Sequence, residues 1–148
     1  MMEPCRLPKA AARVMGNPEH PELKGMVYFY QQCGGVLVMA DILGLPRDGF
    51  FGFHIHAGGS CRGEGFPDTG THYDPDNVPH PDHRGDLPPL LCTNARAKMT
   101  VLTDRFRVSE IMGKTVVIHS DPDDFTTQPS GNPGKVLACG KIRSCCAG

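Results

Sequence analysis

Along this chain apolar residues recur at alternate positions in short runs, and no long stretch keeps a helical period. The first such run, 11–15, is stopped by Gly16-Asn17-Pro18. Residues 24–33 alternate with Met26, Tyr28 and Tyr30 on one face and turn at Gly34-Gly35 into 36–42, the pattern of a hairpin. Gly44-Leu45-Pro46 ends that strand, and further strands are predicted at 49–56, 93–102, 114–119 and 136–142, with a short one near 105–108. About eight short strands with Gly- and Pro-rich turns predict an all-β fold, an antiparallel sandwich or flattened barrel.

Two imidazoles stand inside the apolar run Phe50-Phe51-Gly52-Phe53-His54-Ile55-His56. On a strand His54 and His56 project from one side and Phe53 and Ile55 from the other. Their Cα atoms lie about 6.6 Å apart by the ordinary strand rise, within reach of one shared metal ion. Taken alone, the pair is a weak signal that reads more readily as two exposed or hydrogen-bonded histidines than as a metal half-site.

From Ala57 to Leu91 periodicity vanishes for some 35 residues, a length that points to disorder or to a functional loop. Within it lie His72-Tyr73-Asp74-Pro75 and His80-Pro81-Asp82-His83-Arg84-Gly85-Asp86. Three histidines and Asp86 are nitrogen donors plus a carboxylate, the donor set that tetrahedral zinc accepts. The bland alternative is a polar loop with incidental histidines. Ligand bonds order a loop that hydrophobic burial does not. His119 ends the 114–119 strand, whereas His20, in Pro18-Glu19-His20-Pro21, reads as a solvated loop residue.

Composition narrows the function classes. At 148 residues and 16.0 kDa the chain fits one domain, 1–148, with 1–10 and 143–148 expected as flexible tails. Fifteen Lys and Arg against sixteen Asp and Glu give a net charge of -1, no field for nucleic acid or an anionic membrane. The first ten residues lack the apolar core of a signal peptide, which predicts a cytoplasmic product, or a periplasmic or secreted one if a leader has been removed. Seven cysteines leave at least one outside any intrachain disulfide. Cys61 and Cys139 sit in glycine-containing segments where a bridge would tie a loop to a strand, although sequence alone does not pair them, and Cys145-Cys146 reads as an exposed pair on a tail.

Six segments together resemble the copper/zinc superoxide dismutase family: Gly44-Leu45-Pro46, Gly52-Phe53-His54-Ile55-His56, His72-Tyr73-Asp74-Pro75, Gly85-Asp86-Leu87-Pro88, Val116-Val117-Ile118-His119, and Gly131-Asn132-Pro133-Gly134 with Leu137-Ala138-Cys139-Gly140. They stand in family order over roughly 24–142. The resemblance implies a Greek-key fold with two long functional loops. It implies copper on His54, His56, His72 and His119, and zinc on His72, His80, His83 and Asp86, with His72 bridging the two. Asp123 matches an aspartate that accepts from one copper and one zinc histidine, and Cys61 and Cys139 match the family's disulfide. The implied reaction converts superoxide to oxygen and hydrogen peroxide. Copper cycles between two oxidation states, His72 and His119 act at the reacting centre, and His72 releases copper to carry a proton. Zinc is structural. Superoxide is then the partner, with no nucleic acid or membrane, and a homodimer is the assembly considered.

Three departures bear on that reading. Only Pro81 and Asp82 separate His80 from His83 where the family has a longer insert, which affects zinc affinity and geometry. Thr71 replaces a glycine before His72. Val136 replaces the arginine that docks the superoxide anion beside copper, which predicts a slower enzyme unless Lys135 or Arg143 compensates. The alternative is a non-catalytic copper- and zinc-binding protein on the same fold. A metallohydrolase is disfavoured because the Asp-His that would follow H-x-H in the familiar hydrolase cluster is missing.

Overall fold

The strand that carries the histidine pair closes the structure on itself. The computed structural model describes residues 7–145, and among them nine strands form one antiparallel sheet that curls into a nearly closed barrel. In chain order they are β1 (Ala10–Gly16), β2 (Lys24–Gln32), β3 (Gly35–Leu43), β4 (Gly49–Phe51), β5 (Phe53–His56), β6 (Leu90–Thr93), β7 (Arg96–Thr103), β8 (Thr115–His119) and β9 (Val136–Ser144). Their order across the sheet is β4-β6-β7-β3-β2-β1-β9-β8-β5. The two edges, β4 and β5, are therefore consecutive in the chain and separated only by Gly52.

Gly52 is the corner. Its N–H donates to Asp121 O and its carbonyl accepts from His119 N–H, so the chain leaves β6 and joins β8 within one residue. A Cβ here would stand 2.8 Å from that of Pro133, which leaves room only for glycine. The expected strand 49–56 is thus one strand bent into two.

The hairpin of β2 and β3 pairs in register from Lys24↔Leu43 to Gln32↔Gly35, as alternation predicts. Met26, Tyr28 and Tyr30 face outward and half-buried, while Val27 and Phe29 point in, fully buried. The strand expected at 93–102 breaks at Asn94 and Ala95, both at positive φ (53° and 63°), making the β6–β7 hairpin. The apolar run Leu90-Leu91-Cys92 supplies β6, which strict alternation did not reveal. No strand forms near 105–108. Arg107 N–H instead donates to Glu110 Oε1 and a single helical turn, α1 (Val108–Ile111), packs Val108 and Ile111 into the core.

β1 begins at Ala10 and β9 runs through Ser144. The outer parts of the expected tails, residues 1–6 and 146–148 with Cys146 among them, lie outside the described residues. Among the described residues no helix is long and apolar enough to cross a membrane.

Candidate metal centre

β5 is buried on both faces. Phe53 and Ile55 enter the apolar core, and His54 and His56 turn to the opposite side, at 0% and 5% exposure. One edge of β5 pairs with β8, which places His119 next to this face. The other edge is covered by the long loop, which folds back along it: Tyr73 N–H donates to Ile55 O, Ile55 N–H to Gly85 O, and Gly85 N–H to Tyr73 O, all at 2.8–2.9 Å. The loop thereby sets His72 opposite His56 and Asp86 opposite His54 in strand-like bridges. Residues 16 positions from His56 and 32 from His54 arrive opposite them through backbone pairing.

His54, His56, His72 and His119 converge, with ligand atoms within 4.8 Å of one another. His56 Nδ1 bonds the carbonyl of Gly70 at 2.9 Å, so its Nε2 keeps the lone pair, and His119 Nε2 lies 3.4 Å from that atom. His54 Nδ1 and His72 Nε2 are buried without a hydrogen-bond partner. Burial strips water from these rings and holds His54 below the usual histidine range, and His56 and His119 down at about 3. Near neutral pH they are neutral donors, the form that binds metal.

On the far side of His72 a second group meets. His72 Nδ1 is 2.8 Å from Asp86 Oδ1, while His80 Nδ1 and His83 Nδ1 are 3.1 and 3.2 Å from Asp86 Oδ2, and His72 Nδ1 is 3.2 Å from His83 Nδ1. Among the described residues the donor atoms that converge here within 4.8 Å are those of His54, His72, His80 and Asp86. His54 and His72 therefore border both groups, while His83 stands at the edge of the second through its 3.2 Å approaches to Asp86 and His72. Burial pushes the Asp86 carboxyl up, but the hydrogen bond and charges of the surrounding histidines outweigh it and hold it below the usual carboxylate range.

Asp123 joins the two halves. Its Oδ2 accepts from His54 Nε2 at 2.8 Å and its Oδ1 from His80 Nε2 at 2.7 Å. Desolvation works against its charge, yet these bonds and the Phe125 N–H keep its carboxyl far below the ordinary range. With the His80 proton committed to Asp123, the Nδ1 lone pair faces a carboxylate oxygen 3.1 Å away with no hydrogen bond between them. Two electron-rich buried atoms at that separation call for a cation. The donor set fits one: three imidazoles and a carboxylate beside four imidazoles can hold zinc and copper.

The short His80-to-His83 interval still lets both nitrogens reach Asp86. Gln128 holds His80 at both backbone groups, accepting from its N–H and donating to its carbonyl, and Arg105 donates to the carbonyls of Pro81 and His83. Neither residue was signalled by the sequence, nor was the carbonyl of Gly70. Gly131 carried a signal, as part of a matched motif, without a role. Its φ of 83° and an added Cβ only 2.0 Å from Asp123 Oδ1 and 2.6 Å from His80 Nε2 show that the Asp123–His80 bond needs a residue without a side chain there.

Cys61 and Cys139 form a disulfide that ties the loop to β9. His20 is half-buried, its Nδ1 hydrogen-bonded to Asn17 Oδ1, and belongs to neither group. The histidines open on a cleft of about 490 Å³ lined by His56, His72, His119, Thr71, Ser130 and Val136 among others. Among the described residues no Lys or Arg lines it, and Asp74 is its one acidic neighbour. Lys135 is exposed outside the lining, and Arg143 lines a separate groove.

A model of the family described as copper/zinc superoxide dismutase matches residues 23–142. The chain belongs to that family. Among relatives of the copper/zinc superoxide dismutases, the chain is 37% identical over 131 residues to "Superoxide dismutase [Cu-Zn]" of Legionella pneumophila, covering 83% of this chain and 80% of the relative. It is 31% identical over 137 residues to "Superoxide dismutase [Cu-Zn] 2" of Aquifex aeolicus, covering 82% and 80%. It is also 30% identical over 149 residues to "Extracellular superoxide dismutase [Cu-Zn]" of Rattus norvegicus, covering 91% of this chain and 59% of that protein. As a copper/zinc superoxide dismutase family member, the chain carries the histidine clusters and the disulfide on the all-β fold its motifs imply.

Proposed function

We propose that this chain is a superoxide dismutase, with His54, His56, His72 and His119 holding copper and His72, His80, His83 and Asp86 holding zinc. The observation that carries the reading is the sharing of His72, whose Nε2 is bare within the four-histidine group while its Nδ1 lies 2.8 Å from Asp86. Copper, when bound, supplies the one-electron chemistry that turns superoxide into oxygen and hydrogen peroxide, and zinc supplies fixed charge. The protein's part is positional. β5 and β8 fix three of the rings, Asp123 orients His54 and His80 together, and the cleft admits a small anion to His56 and His119. His72 Nε2 is the atom placed to hold a proton for the departing product.

The rate is set low by Val136, half-buried in the cleft lining where a guanidinium would dock and orient the anion. The same feature favours a second reading, a copper- and zinc-binding protein without useful catalysis. Pulse radiolysis of protein loaded with both metals separates them: dismutation above that of free copper supports the enzyme, and none refutes it. A homodimer is part of this proposal, supported by Phe50 and Leu91, which pair across β4 and β6 and are both about half exposed. Sedimentation equilibrium of the loaded protein checks it.

A further inference from the structure

A second concavity, distinct from the metal cleft although Phe66 borders both, lies on the outer face of β1 and β9. It is a groove of about 850 Å³ with the Cys61–Cys139 disulfide in its lining and the side chains of Arg13, Arg62, Lys141 and Arg143 around it. Asp68 is the single carboxylate among the lining residues. None of the four cations makes an ion pair or side-chain hydrogen bond with the described residues. Among the other described arginines, Arg84 pairs with Asp76 and Glu110, Arg96 with Asp41, and Arg47 and Arg105 bond backbone carbonyls. Four cations without an ion pair among the described residues thus stand around one hollow.

We propose that this groove docks a short acidic peptide segment of a partner protein, anchored by an aliphatic side chain. Four cations and one carboxylate give the lining +3, in a chain whose basic and acidic residues otherwise nearly balance at 15 and 16. A short anionic segment fits that distribution, because its charge stays within the groove. A symmetric second copy would set one +3 face against another, so the occupant is a different chain. Met15, 61% exposed, and half-buried Met26 supply an adaptable apolar wall that rewards an aliphatic side chain, which neither nucleic acid nor sulfated sugar offers.

The test uses the full chain, metal-loaded and with its disulfide intact. A fluorescein-labelled synthetic peptide of Asp and Glu around a central Leu is titrated by fluorescence anisotropy, beside its Asn and Gln counterpart. The acidic peptide is expected to bind about tenfold or more tightly than the neutral one, and to weaken as salt rises. The double substitution Arg13→Gln with Arg143→Gln, at exposed positions, is expected to remove about tenfold of that affinity, with an unchanged circular dichroism spectrum confirming the fold. Amide shifts in the unsubstituted protein should map to β1, β9 and Arg62, a readout that needs no variant. Equal binding of the neutral peptide, an unaffected double variant, shifts confined to the metal cleft, or tighter binding of an oligonucleotide of equal charge would each overturn the proposal.

Discussion

His80 donates from Nε2 to Asp123 Oδ1 at 2.7 Å, and this bond fixes where the ring's other nitrogen can look. Asp123 also holds His54, so one carboxylate aims two rings into two clusters. Replacing Asp123 by Asn keeps the shape and removes the charge that orients both imidazoles. Zinc affinity is expected to fall about 10–100-fold. Competition with a chromophoric chelator measures it, and an affinity within twofold of the parent, on the order of experimental scatter, would refute the role.

Gly131 offers the same bond a steric test. Gly131→Ala would place a methyl between Asp123 and His80 at a residue with φ of 83°. The expected cost is roughly 1–3 kcal/mol of stability together with weaker zinc binding. Parallel chemical denaturation and zinc titration check it, and loss of stability with unchanged zinc affinity would separate backbone strain from ligand orientation.

Acid should unfold the metal-free protein from the histidine side first. His56 and His119 are held at about 3 by burial, against about 6.5 in an unfolded chain. The unfolded state therefore binds protons that the folded state refuses. Stability is intact above about pH 6.5 and declines as pH falls toward 3, by an order of a few kcal/mol. Asp86 and Asp123, held low, act in the same direction below about pH 4. Urea midpoints of metal-free protein across this range would show the decline, and a flat profile between neutrality and about pH 4.5 would contradict the burial of these rings.

Val136→Arg places a cation in a cleft that no Lys or Arg lines among the described residues. Dismutation by the loaded protein is expected to rise, and to fall with added salt more steeply than in the parent. An unchanged rate at low salt would mean that the missing guanidinium does not limit the reaction.

Much of this arrangement was legible in the chain. Alternation in 24–33 and 36–42 has one solution, a hairpin with Val27 and Phe29 inside, and the spacing of His54 and His56 put both on one face. What stayed hidden depends on contacts made across long separations. Asn94 and Ala95 turn the chain inside a run that reads as one strand, because their positive φ is not written in hydrophobicity. Gln128 steadies His80 from 48 positions away, and Gly70 fixes His56 through a backbone carbonyl that any residue would supply. The resemblance of motifs brought the candidate ligands together where periodicity was silent, and it carried no word of the cations gathered around Cys61 and Cys139.

The long loop lies along the outer border of β5 as a substitute strand, and the residues it brings there include His72 and Asp86. Withdrawing the ions would loosen that cover and offer a row of bare amides to any neighbouring chain, inviting polymerisation through strand addition. Chelated protein should therefore assemble into larger species faster than the loaded form by light scattering, and equal rates would show that the loop holds its place without metal.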